Sequence, residues 1–271
     1  MEQFFFGDDS RRLFGVLARP TGRAHTGLVI CPPFGEEMVS TYARFARWSK
    51  ELADRGFAVM RYHARGTGES DGKSTDFTVA SAAQDAATAV KWLRENGKVE
   101  RVGLFGLRFG ATAAVHAEAH ADFAILWSPV VKLPTYCRDL LRLRITKDLI
   151  HLKADRVKVT AKDLAAELEA GRSIDLLGYE MSPALYRQLN STTAWPDEPP
   201  APDVLWLMLP TEQAQAEPLV KAWKDRGCRA EVQAFRERIF WEDFSSDFPH
   251  QFAETSIAWM EQGSAQPVGS R

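Results

Sequence analysis

Two apolar rhythms alternate along this chain. Short unbroken apolar runs at 27–31 (GLVIC), 57–62 (FAVMRY), 101–107 (RVGLFGL) and 123–127 (FAILW) predict buried strands. Between them, apolar positions spaced three and four apart predict helices over 39–56, 77–96 and 108–120, the first ending at Gly56 and the second followed by Gly97. Segments 3–7 and 12–18 predict an opening hairpin. After residue 200 the alternation resumes, with strands at 204–209 and 230–235 and helices at 213–226 and about 247–262. Strands joined by helical crossovers predict an α/β fold, a mostly parallel central sheet with helices on both faces. The interruption at 131–200 is charged and helical, and it runs into the proline-rich WPDEPPAPD. It predicts a helical cap insertion over the C-terminal strand ends, where open α/β sheets bind ligands. Residues 1–130 and 201–262 would then form the core, 131–200 the cap and 263–271 a frayed tail.

Composition narrows the picture only a little. At 271 residues and 45% apolar, the chain can bury a core without disulfides or metal. The net charge of -2, with both signs dispersed, gives no reason to expect nucleic acid or an anionic membrane as partner. No run reaches the roughly 18 apolar residues of a membrane span. The start MEQFFFGDDSRR lacks the basic opening and long apolar stretch of a signal peptide. Three cysteines at 31, 137 and 228 match no zinc or CxxC spacing, so no metal or cofactor is expected and a reducing cytoplasm is the expected setting.

The chemically informative segment is Gly106-Leu107-Arg108-Phe109-Gly110, where a strand runs directly into a helix. Glycine two places to either side of a central residue is the context of the G-x-S-x-G nucleophile elbow, a tight turn with a strained centre. Here the centre is arginine, which stays protonated and has no lone pair to offer. It cannot form an acyl-enzyme.

The motifs PPFGEEM (32–38), RYHARGTGESDG (61–72), GLRFGA (106–111), LWSPV (126–130) and FWEDF (240–244) follow one another in an order and spacing that resemble the α/β-hydrolases. More narrowly, the chain resembles the serine-aminopeptidase-like and exosortase A system-associated hydrolase group, whose members often carry arginine at the elbow too. That resemblance implies the α/β-hydrolase fold and a role in a biosynthetic or export pathway. It also places the other triad members. The acid position falls at Glu212, in the turn after the strand ending at Leu209. The histidine position falls in 236–244, which contains no histidine; His250 lies further on.

What remains reads as an anion site. The Phe109 amide and the loop Pro33-Phe34-Gly35 would supply oxyanion-hole donors, and Arg108 adds a planar fork of N–H groups. A carboxylate, a phosphate, a sulfonate or the oxygen of an acyl ligand fits that chemistry. Glu36 and Glu37 follow the oxyanion loop, and Trp241, Glu242 and Asp243 follow the last strand. Either acidic pair could close an internal ion pair with Arg108, the favoured expectation because an unpaired buried arginine is expensive.

Other candidates have a structural reading beside the chemical one. Ser128 and Cys31 are alternative nucleophiles, or a bonded loop serine and an inert core thiol. His63 could act as base or could brace the RGTGES turn. His116 and His120 fall at i, i+4 spacing on the helix predicted over 108–120, without an HExxH motif. Trp127, Tyr136, Trp195 and Trp241 suit a pocket wall or a core. Three functions stay open: a degenerate hydrolase binding or transforming an anionic or acyl small molecule, an acyl hydrolase or acyltransferase with an unconventional nucleophile, and a non-catalytic interaction protein.

Overall fold

A computed structural model describes residues 1–151, 159–192, 195–244 and 248–264. The antiparallel hairpin β1 (Glu2–Asp8) and β2 (Arg11–Ala18) opens the chain. It continues through β3 (Thr26–Cys31), α1 (Glu36–Asp54), β4 (Ala58–Tyr62), α2 (Val79–Asn96), β5 (Arg101–Leu107), α3 (Phe109–Val115) and β6 (Phe123–Trp127). An insertion of α4 (Leu133–His151), α5 (Ala161–Glu169), a small hairpin β7 (Ile174–Leu176) and β8 (Tyr179–Met181), and α6 (Pro183–Ser191) follows. The alternation then resumes with β9 (Asp203–Met208), α7 (Gln213–Asp225), β10 (Arg229–Ala234) and α8 (His250–Ser264).

The main sheet has the order β1-β2-β4-β3-β5-β6-β9-β10. Pairing is antiparallel from β1 to β4 and parallel from β4 across to β10, with β1 and β10 as the two rims. Strand alternation sorts the core into two layers. On β5, Val102 and Leu104 join the layer of α2, α3 and the insertion, whereas Phe105 and Leu107 join that of α1 and α8. On β6, Ala124 and Leu126 face the first layer, and Phe123, Ile125 and Trp127 face the second. Because both faces are covered, these strands read as unbroken apolar runs rather than alternating ones.

Local signals fix the helix starts. Thr78 and Ser81 form a reciprocal capping box on α2, and Ser182 accepts the Leu185 amide at the start of α6, where Pro183 takes the first turn. One predicted helix is shorter than expected. α3 ends at Val115, and Glu118 and His120 take left-handed backbone angles of φ 45° and 47°. Ala117 and Ala121 are buried as the chain turns back towards β6, so His116 and His120 do not share a helical face.

The insertion seats on the C-terminal side of the sheet through specific contacts. Ser74 donates to Glu180, the Ala80 amide donates to Gln188 at 2.9 Å, and Trp195 Nε1 donates to the Val130 carbonyl at 3.1 Å. Trp195 stacks with Trp223 and lies beside Trp206, which makes it a packing residue and not a pocket wall.

Candidate functional site

Arg108 is the hinge of the β5–α3 turn, with φ 52° and ψ −120°. That conformation strains any side chain larger than hydrogen. The turn holds because its neighbours are glycines. A Cβ on Gly106 would lie 2.3 Å from the Ala111 nitrogen, and one on Gly110 would lie 2.4 Å from the Cys31 carbonyl oxygen. Arg108 N–H donates to the Trp127 carbonyl at 3.1 Å, and its own carbonyl accepts from Ala111 at 3.0 Å and from Val130 at 3.4 Å.

The guanidinium is clamped on two of its three nitrogens. Nε donates to Glu37 Oε1 at 3.1 Å; Nη1 donates to the Ser128 carbonyl at 3.2 Å and lies 3.7 Å from Glu212 Oε1. Trp241 and Tyr136 sit 5.1 and 5.9 Å from it in cation–π range. Among the described residues no acceptor meets Nη2. Glu37 is held from its other side, where its Oε2 accepts the Tyr136 hydroxyl at 3.0 Å. Beside the guanidinium opens a cleft of about 190 Å³, lined by Arg108, Lys132, Tyr136, Asp139, Glu212 and Gln215 among others.

Burial dominates the electrostatics. It pushes the Glu37 carboxyl above the usual glutamate range; Arg108 and Tyr136 pull it back, and Glu242 pushes it further up. Tyr136 rises well above an ordinary phenol, through burial and then through the Glu37 charge. Burial would lower Arg108, but Glu37, Tyr136 and Glu212 outweigh it, so the guanidinium keeps its proton even more firmly than in water.

Of the four acids considered as partners for Arg108, Glu37 forms the pair. Glu36 turns to Lys147 on α4 at 3.4 Å. Glu242 is exposed, and Asp243 is engaged by Arg238. Glu212 braces its own turn by accepting the Leu209 amide at 3.1 Å, with its second oxygen towards Arg108. Phe34 and Phe109 are buried and form an aromatic group with Phe77, in which Phe34 stacks on Phe77 at 5.1 Å. Gly35, at φ 64°, leads into α1.

The two histidine candidates lie apart from this centre. His63 Nδ1 accepts the Glu69 amide at 3.1 Å, and its Nε2 lies 3.2 Å from the Tyr42 hydroxyl. Burial lowers its pKa, with Glu69 opposing and Arg61 reinforcing. His250 begins α8 with an exposed side chain. Among the described residues, no histidine hydrogen-bonds to Arg108, Ser128 or Glu212. Ser128 is fully buried with φ 38°; its carbonyl serves Arg108 while its Oγ has no partner among the described residues. Trp127 lies in the α1–α8 core layer, away from the cleft. The sequence offered Tyr136 only as one of several aromatics; its hydroxyl bond to Glu37 becomes visible once α4 is seated on α1.

Cys31 is fully buried, and burial pushes its thiol up to about 12, with a bond to Tyr62 drawing it slightly back. The thiolate needed for nucleophilic attack is scarce at neutral pH. Iodoacetamide at pH 8 should therefore leave Cys31 unmodified in the native protein and alkylate it after unfolding. Native modification at the rate of a free thiol, read by peptide mass, would contradict this.

Among the described residues no helix is long and apolar enough to cross a membrane, and no three His, Cys, Asp or Glu side chains converge as a metal site. Solved structures superpose over nearly the full chain. Est1E from Butyrivibrio proteoclasticus, in a complex with ferulic acid, gives a TM-score of 0.64 at 15% identity, covering 97% of this chain and 100% of that one. Esterase 2 from Thermogutta terrifontis, phosphoramylated by tabun, gives 0.58 at 17% identity, with 98% and 96% covered. Alpha/beta hydrolase domain-containing protein 10 from mouse gives 0.58 at 14% identity, with 97% and 98% covered. At such identities the likeness shows the fold, that of the α/β-hydrolases. No curated protein matches the sequence significantly. The family match does not extend to the exosortase-associated group: the model that aligns, over residues 9–262, is that of the X-Pro dipeptidyl-peptidase (S15) family. With so much of the chain matched, this protein belongs to the X-Pro dipeptidyl-peptidase (S15) family.

Proposed function

We propose that the β5–α3 turn is a nucleophile elbow in which arginine stands in the serine position. In this reading the cleft above it binds or transforms an anionic or acyl small molecule by chemistry other than serine attack. The observation that carries the reading is the state of the guanidinium: Glu37 and the Ser128 carbonyl fix Nε and Nη1, while Nη2 has no acceptor among the described residues beside a cleft of about 190 Å³. A guanidinium oriented on two nitrogens and open on the third is a preorganised donor for a carboxylate, phosphate or polarised carbonyl oxygen. Lys132 at the cleft adds positive charge, and Asp139 and Glu212 limit how much anionic charge the ligand can carry. The backbone N–H groups of Phe34, Gly35 and Phe109 would complete the donor set.

Hydrolysis through Arg108 has no chemical route, because protonated arginine offers no lone pair, and no histidine among the described residues is bonded to it. The test is a calorimetric titration with short acyl carboxylates and acyl phosphates. Arg108→Ala should weaken binding by about 1.5–3 kcal/mol, the worth of a charge-assisted hydrogen bond; equal affinity would remove Arg108 from the ligand site. Arg108→Ser should fold yet give no turnover of p-nitrophenyl acetate above background, and brisk turnover would overturn the claim that the base is missing.

A second reading has one observation in its favour. Phe34, Phe77, Phe109 and Tyr179 pack together between core and insertion, where an acyl chain would otherwise lie. In that reading the Arg108–Glu37 pair is a structural lock and the protein acts by docking a partner. Absence of any saturable small-molecule binding in the same titration would favour it.

A further inference from the structure

A second cavity opens beneath the N-terminal half of α1, on the sheet face opposite the α2–α3 layer. Arg61 of β4 reaches into it between Val16 on β2 and Ile30 on β3, its direct neighbours in the sheet register. Pro33, Met38 and Phe45 form an apolar wall. The volume is about 30 Å³. A buried water needs roughly 10–15 Å³ on this measure, so the space takes a head group of a few heavy atoms with its tail directed outward.

Arg61 has an unusual setting. It is half-buried, and no carboxylate among the described residues lies in ion-pair range of it; the uncharged side chains of Tyr42 and His63 line the cavity with it, the Tyr42 ring centre 5.5 Å from the guanidinium carbon. Burial lowers its pKa, and Tyr42 alone pulls back. A desolvated guanidinium without a counter-charge is costly. The hydrogen-bond directions around Tyr42 sharpen the point. His63 Nδ1 accepts the Glu69 amide, so the neutral ring carries its proton on Nε2 and donates to the Tyr42 oxygen. The Tyr42 hydrogen is left to donate elsewhere. Arg61 and Tyr42 therefore offer the cavity donors only.

We propose that this cavity binds the carboxylate head of a small aliphatic carboxylate, with Arg61 and Tyr42 as donors and Pro33 and Met38 against the chain. The site is separate from the Arg108 cleft and does not rest on the reading given to it. The test is saturation-transfer NMR of propionate on the full chain at fixed ionic strength. Arg61→Met should weaken this binding about tenfold or more, in line with loss of a charged donor, and Tyr42→Phe by a few-fold. Arg108→Ala should retain a propionate site of wild-type affinity. In the wild-type protein, propionate should also shield Arg61 from phenylglyoxal, read by peptide mass, which covers the case of a variant that fails to fold. Wild-type affinity in Arg61→Met, loss of all binding in Arg108→Ala, or no shielding of Arg61 would each overturn the proposal.

Discussion

Replacing Glu37 with alanine should destabilise the protein by about 3–5 kcal/mol, because it strands the Arg108 charge in a mostly buried site. The Arg108 side chain is only 20% exposed and that of Glu37 11%. Glu212 at 3.7 Å and the Ser128 carbonyl remain as weaker partners, which places the expectation nearer the lower end. The loss belongs to the pair and not to Glu37 alone. Arg108→Ala combined with Glu37→Ala should therefore be milder than the sum of the two single changes, by more than about 0.5 kcal/mol in denaturant titrations. Additivity would mean that the two groups do not interact. The pH dependence has a definite sign. Burial holds the folded-state pKa of Glu37 above its ordinary 4.5. Glu37's own contribution is thus fully present below that value and is lost as pH rises through the folded pKa. Glu37→Gln should erase this part of the pH profile.

Trp127→Ala should be at least as damaging, at about 3–5 kcal/mol. Trp127 is fully buried, with Phe105 at 4.8 Å, Trp48 at 5.0 Å and Phe252 at 5.4 Å between ring centres. Its indole N–H donates to Ser256 Oγ at 2.9 Å, tying β6 to α8. Alanine leaves a cavity that rigid aromatic neighbours cannot fill, whereas Trp127→Phe should recover part of the loss. Equilibrium unfolding measures both, and a loss under about 1 kcal/mol for the alanine variant would show that the layer repacks. The residue also precedes Ser128, so the same variant should loosen the carbonyl that orients Arg108.

The strands were legible because a strand covered on both faces is apolar throughout, and the tight β5–α3 turn because a Cβ on Gly106 or Gly110 would collide with backbone. The partner of Arg108 was legible only as one of four acids. α1 begins at Glu36, not at 39, so Glu36 and Glu37 occupy its first turn and point in different directions: one to Lys147, the other inward. Periodicity alone does not locate a helix start to that accuracy. Trp127 stood equally well as pocket wall or core, and its place on β6 beside Phe123 and Ile125 decided it. Lys132, Asp139 and Gln215 were not foreseen in the cleft, since they meet only when α4 and α7 are brought over the same strand ends.

The outermost parallel strand, β10, has a bearing on how copies of this protein coexist at high concentration. Among the described residues its backbone has a bonded strand on one side only. Charges along it are tethered: Arg229 grips Asp203 with two bonds of 2.6 and 2.7 Å, and Glu231 accepts the Trp259 indole at 2.8 Å. A stray strand adding there would have to dismantle or dehydrate those groups, with Val232 as the apolar reward. A rim charged in this way is expected to disfavour edge-to-edge pairing between copies.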